Sequence, residues 1–135
     1  MREPDHVSTA RAVYDTTAEM YRELVGTEVT PAIEGPVDRA LLAAFVECVT
    51  GAAAATVADV GCGPGRVAAF LAAHGLDVLG VDVSQAMLDV ARDEHPGIRF
   101  DEGRLTALPV PDKSLAGAVC WYSIIHTPPA HLHDV

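Results

Sequence analysis

The run Asp59-Val60-Gly61-Cys62-Gly63-Pro64-Gly65-Arg66 constrains this chain more than any other stretch. Before it, residues 56–60 read Thr-Val-Ala-Asp-Val, a short strand of the buried type. After it, residues 64–74 read as a helix with proline in its first turn, an apolar face of Val67, Phe70 and Leu71, and Gly75 as its stop. Three glycines at a strand-to-helix junction serve a tight turn and a backbone that a ligand can approach. The free N–H groups and the positive end of the helix then face that ligand.

The segments around the turn extend the pattern. Residues 77–81 form a second strand, and Ser84 caps a helix that Pro96 stops after Glu94. Residues 98–100 form a third strand. Residues 116–122 form a fourth, nearly all apolar, as a strand buried on both faces should be. Thr127-Pro128-Pro129 opens one more helix. Upstream, Ser8 or Thr9 caps a helix that runs to Val25, with Gly26 as its stop and with Tyr14 and Tyr21 seven apart on one face. Residues 27–35 are a loop, and Pro36 starts a second helix that Gly51 ends. Residues 1–7 are expected to be a loose tail, and the only low-complexity tract is Ala52 to Ala55.

Strands alternating with short helices mean βαβ units and a parallel sheet. Right-handed crossovers then give the strand order 3-2-1-4, with a topological switch between strands 1 and 4. Ligands bind at the carboxyl ends of strands at such a point. The expected fold is a Rossmann-like α/β open parallel sheet preceded by two helices.

The spacing discriminates between ligands. A dinucleotide turn is G-x-G-x-x-G, whose third small residue permits close helix–strand packing. Arg66 holds that position here, and the third glycine comes one residue early. Asp59, just before the first glycine, would repel a pyrophosphate but suits the cationic amino-acid end of a sulfonium cofactor. Asp82, at the end of the second strand, can accept hydrogen bonds from adjacent ribose hydroxyls. Met87, one turn into the next helix, either lies against the adenine or packs in the core. These features favour S-adenosylmethionine over NAD.

The runs DVGCGPGR, GVDVS with QAML, FDEGRLTALPVPDKS and AGAVCWYSIIH resemble class I S-adenosylmethionine-dependent methyltransferases of the small-molecule type, over about residues 10 to 135. The resemblance implies that Asp59, Gly61, Cys62, Gly63, Gly65 and Arg66 form the turn that holds the methionine part, with Asp82 on the ribose and Val83 beside the adenine. It places Gly103, Arg104 and Leu105 at the adenine, where Arg104 replaces the family's usual acid. It places Cys120 and Trp121, next to Tyr122, at the cofactor floor. Tyr14 and Tyr21 match the family's N-terminal lid positions, though a plain core role suits them as well. The family's sheet has seven strands in the order 3-2-1-4-5-7-6, and this chain supplies four. The domain expected over residues 8–135 is therefore C-terminally incomplete, a truncated product, or a chain that pairs its fourth strand with a second copy.

Composition narrows the partners. Nineteen acidic residues against nine basic ones give a net charge of -10, which repels phosphate backbones and leaves a small-molecule acceptor as the natural substrate. Three cysteines with no CxxC pair fit a reducing cytoplasm. The polar start is no signal peptide, and no run of ~18 apolar residues would span a membrane. His126 is the weak candidate for a general base, with a structural role as its alternative; Tyr122 is weaker. No metal site is expected, because His131 and His133 would leave a helix on different sides. Two functions remain open: methyl transfer to a small molecule, and a non-catalytic S-adenosylmethionine-binding domain or remnant.

Overall fold

A computed structural model of the chain describes residues 3–53 and 56–135. The first two residues of the expected tail, and Ala54 and Ala55 of the alanine tract, lie outside the described residues. The elements are α1 (Asp5–Val25), α2 (Pro36–Val49), β1 (Thr56–Val60), α3 (Arg66–Ala73), β2 (Asp77–Asp82), α4 (Gln85–Glu94), β3 (Arg99–Glu102) and β4 (Leu115–Val119), then two 3-10 turns at Ile124–His126 and Pro129–Asp134. The sheet is parallel with the order β3-β2-β1-β4. The expected order and fold class are therefore the observed ones.

The core forms where the helices close over β1 and β2. Val57, Leu71 and Leu88 are fully buried there, with Leu42 of α2 beside them. Burying such side chains gives about 1.5–3 kcal/mol each, which is what the alternating apolar segments supply. Ser84 caps α4 as its position implied, accepting from Met87 N–H at 3.2 Å.

Three local expectations differ from what forms. α1 starts at Asp5 rather than at Ser8, because the Ser8 and Thr9 hydroxyls bond back to the Asp5 carbonyl inside the helix. α3 starts at Arg66, two residues after Pro64, because Gly65 keeps a left-handed conformation with φ of +84°. β4 is shorter than residues 116–122 and is not buried on both faces: it is the sheet's edge, and Ala118 is exposed.

Arg66 explains itself in this frame. Its guanidinium runs back to the loop between α1 and α2, where it forms an ion pair with Glu34 and donates from Nε to the Glu28 carbonyl at 3.2 Å. Glu34 is only 1% exposed, and its other oxygen accepts from Thr30 N–H at 3.0 Å. His95 Nε2 lies 2.9 Å from the Thr27 carbonyl, so that loop is held at both ends. Breaking one partner of a buried pair leaves an uncompensated charge. Arg66→Met is therefore expected to cost about 3–5 kcal/mol in urea denaturation, and Arg66→Met with Glu34→Met to recover most of it. Equal loss in the single and double variants would show that the pair is not what holds the loop.

Candidate functional site

The site is built on one turn and one carboxylate. Gly61, Gly63 and Gly65 have φ of +76°, +51° and +84°, values that other residues adopt only under strain. Gly61 N–H and Cys62 N–H both donate to the Val81 carbonyl, at 2.7 and 3.0 Å, so the turn folds over the end of β2. Asp82 then locks it: one oxygen accepts from Gly63 N–H at 2.8 Å and the other from Ser84 N–H at 2.9 Å. Ser84 in turn donates its hydroxyl to Asp15 of α1 at 2.6 Å. A side chain at Gly61 would also collide with Ser123, because its Cβ would sit 2.1 Å from Ser123 Cβ.

Asp59 works from beneath. It is 1% exposed and accepts from Ala68 N–H at 2.9 Å, which caps the start of α3 from inside the sheet. Burial pushes its carboxyl up to about 7, against the lowering effect of that N–H. Burial also raises Asp82, and the N–H groups of Ser84, Gly63 and Val83 oppose it. The Cys62 thiol is held well above its ordinary value by burial, so it is a neutral packing group rather than a nucleophile. Burial raises the Tyr14 phenol too.

A cavity of about 300 Å³ opens at the carboxyl ends of the strands, between α1 and the 3-10 turns. It brings together Tyr14, Tyr21, Gly61, Asp82, Val83, Met87, Gly103, Arg104, Leu105, Trp121 and His126. A smaller recess of about 40 Å³ joins Asp59, Cys62 and Arg66 to Tyr21, Gly61 and Trp121. Gly63, Gly65 and Cys120 line neither. Gly63 spends its N–H on Asp82, and Gly65 lies under His95 and Phe100, where a Cβ would approach within 2.9 and 3.0 Å. Cys120 is exposed beyond the end of β4. Tyr14 and Tyr21 form an edge-to-face pair with ring centres 6.0 Å apart, and Tyr14 Oη lies 2.6 Å from His126 Nε2.

Sequence reasoning missed the first half of α1 and most of the C-terminal segment. Val7 and Ala10 line the cavity, seven and four residues before Tyr14. They share its helix face, so extending the tyrosine stripe upstream would have found them. Ser123, Thr127, His131 and Asp134 also line it, and no spacing marked them. Among the described residues no cluster of His, Cys, Asp and Glu could hold a metal ion, and no helix is long and apolar enough to cross a membrane.

Residues 57–135 match the model of a family described as a methyltransferase domain. The chain belongs to this methyltransferase family. Among its relatives is trans-aconitate 2-methyltransferase of Methylobacterium nodulans, 41% identical over 73 residues that cover 50% of this chain and 28% of the relative. The methyltransferase YcgJ of Bacillus subtilis is 32% identical over 123 residues, covering 87% of this chain and 45% of the relative. The fold superposes on magnesium protoporphyrin IX methyltransferase from Synechocystis, solved with bound SAH, with a TM-score of 0.71 at 20% identity, covering 96% of this chain and 64% of that one. The chain thus spans less than half the length of the curated relatives it matches here.

The Asp59 carboxyl sets a pH test of this methyltransferase domain. Its folded value of about 7 exceeds its ordinary 3.8, so the stability it contributes is fully present below about pH 4 and is lost as pH rises through 7. Asp59→Asn mimics the protonated form and keeps an acceptor for Ala68 N–H. Urea midpoints are expected to be similar for the two proteins near pH 4, to favour the Asn variant increasingly as pH rises to about 7, and to differ by a constant amount above that. A difference that does not change with pH would refute the burial effect.

Proposed function

We propose that this chain binds S-adenosylmethionine in the 300 Å³ cavity and delivers its methyl group to a small-molecule acceptor. The observation that carries the reading is Asp82. It lines the cavity from the end of β2, and the N–H groups of Gly63, Ser84 and Val83 hold its two oxygens. A carboxylate offers about four lone-pair sites, so capacity remains for a vicinal diol such as a ribose.

The donor set of the cavity fits the rest of that molecule. Val83, Met87 and Leu105 offer an apolar wall for adenine, and Arg104 offers donors to ring nitrogens where the family's usual acid would accept. Asp59, in the recess under the turn, suits a cationic amino group, whose charge would favour the ionised carboxylate. Two buried polar atoms at the cavity, Trp121 Nε1 and Ser123 Oγ, have no partner among the described residues and would gain one from a bound molecule. When bound, S-adenosylmethionine supplies an electrophilic methyl group on sulfur. The protein's own part is alignment, exclusion of water by α1, and an apolar site. The name of the trans-aconitate relative supports a small organic acceptor, and the SAH in the Synechocystis structure supports the cofactor.

The uncovered edge of β4 favours a second reading, a cofactor-binding unit without turnover of its own. Methyl-transfer assays separate the two. For the shared step, Asp82→Ala is expected to weaken S-adenosylmethionine binding at least about tenfold by calorimetric titration, the scale of a hydrogen-bond pair to a charged group. Unchanged affinity would refute the ribose assignment, and binding of NAD in place of S-adenosylmethionine would refute the cofactor.

A further inference from the structure

β4 is a free edge of the sheet, and it is lightly guarded. It reads Leu-Ala-Gly-Ala-Val over residues 115–119, with no charge and no proline to discourage a further strand. Its pairing with β1 shifts register once at the start and is then regular through Gly117, Ala118 and Val119. The outer side of those three residues has no partner strand among the described residues.

The helix above that edge is apolar on its outer flank as well. Phe45 and Val49 of α2 rest on Gly117, where a Cβ would come within 3.0 and 2.9 Å of them. With Leu42 and Val46 they form the arc of α2 that faces the core. At helical periodicity, Val37, Leu41, Ala44 and Cys48 form a second stripe, next to Phe45 and opposite Val46. All four are exposed, Val37 by 71% and Leu41 by 57%. Because Phe45 lies on the edge strand, the stripe beside it occupies the flank beyond β4. A helix that is apolar on both flanks reads as a buried helix.

Charge and symmetry select the occupant. The chain carries a net charge of -10, yet neither the stripe nor β4 contains a charged residue. A basic partner finds no acid there to pair with, whereas two copies can meet there with their acids kept apart. The stripe's 4-3-4 spacing also reads the same in both directions. An antiparallel copy of α2 therefore sets Leu41 against Ala44 and Val37 against Cys48, large on small.

The layer spacings agree with such a two-fold axis. Strands pair about 4.8 Å apart and helices pack about 8–10 Å apart, so each helix would lie ~4–5 Å from the axis, above the gap between β4 and β1. α2 is in that place: it rests on Gly117 of β4 and shares a core cluster with Val57 of β1. Its 14 residues span about 21 Å, and helix and sheet together are about 20 Å deep. That face is at the small end for a specific interface, which implies micromolar association.

We propose that this face pairs two copies of the chain, β4 against β4 and α2 against α2, both antiparallel, so that the two four-stranded sheets become one. Sedimentation equilibrium of the 135-residue chain, from micromolar to millimolar concentration, is expected to pass from monomer to dimer. Added salt is expected to tighten the dimer, because it screens the repulsion between two acidic chains. Leu41→Glu is expected to weaken association at least tenfold and leave the urea midpoint of the dilute monomer unchanged. Amide exchange over residues 117–119 is expected to slow as the dimer forms. In a Cys120→Ser background, Val37→Cys is expected to give a disulfide-linked dimer through Cys48 of the second copy. The background alone should not, since two Cys48 residues would stand about 16 Å apart along the antiparallel helices. A monomer at every concentration overturns the proposal, as does a dimer that Leu41→Glu leaves intact or that salt weakens. Unchanged exchange over 117–119 overturns the strand pairing, and equal cross-linking without Val37→Cys overturns the antiparallel register.

Discussion

The Asp82 carboxylate is the point on which the rest of the site depends. It joins the glycine turn, through Gly63, to the start of α4, through Ser84. Ser84 passes the link on to Asp15 of α1. Three segments far apart in sequence therefore meet at one buried acid, and each contributes a wall of the cavity. A buried carboxylate without such donors would be too costly to keep. The N–H groups that fix its geometry are also what make it tolerable inside the protein.

That dual use explains why the sequence was readable where it was. The strand order follows from the spacing of apolar segments and the handedness of βαβ crossovers, both local properties. Asp82 was legible because a strand end fixes where its side chain must go. Arg66 was legible only as a misfit to the dinucleotide pattern; its ion pair with Glu34 spans 32 residues and leaves no local signature. The start of α1 was misread because Ser and Thr favour caps but can also bond back within a helix, as Ser8 and Thr9 do. β4 was read as buried from its composition alone. Its small residues, Ala116, Gly117 and Ala118, say that something packs closely, not that both faces are covered.

The electrostatics of the site run against the charge of the chain. A protein with a net charge of -10 has gathered two buried acids, Asp59 and Asp82, on either side of the turn; beyond burial, Asp82 raises the Asp59 carboxyl, and both acids raise the Cys62 thiol between them. Such an arrangement is strained in charge rather than in geometry. A cation entering the recess relieves it, whereas an anion there would add to it. The Arg104 guanidinium, without an acidic partner among the described residues, belongs to the loop after β3 and not to the turn. Opposite charges are therefore offered at different places in the same cleft, which orients a ligand that carries both.

α1 covers the cleft with few buried contacts. Of its residues only Ala18 is buried, and Val13, Met20 and Leu24 are among the large apolar side chains left in solvent. Its ties include the ion pairs Arg11–Glu102 and Arg22–Glu94, hydrogen bonds of Asp15 with Ser84 and Ala86, and ring contacts of Tyr14 with His126 and of His6 with His131. Exposed ion pairs contribute little and are screened by salt. The strands beneath are bonded on both sides except at the β3 and β4 edges, and their side chains form the core. Local opening draws on the weakest set of contacts, and exposed ties of this kind are weaker than the sheet's hydrogen bonds and the buried core beneath them.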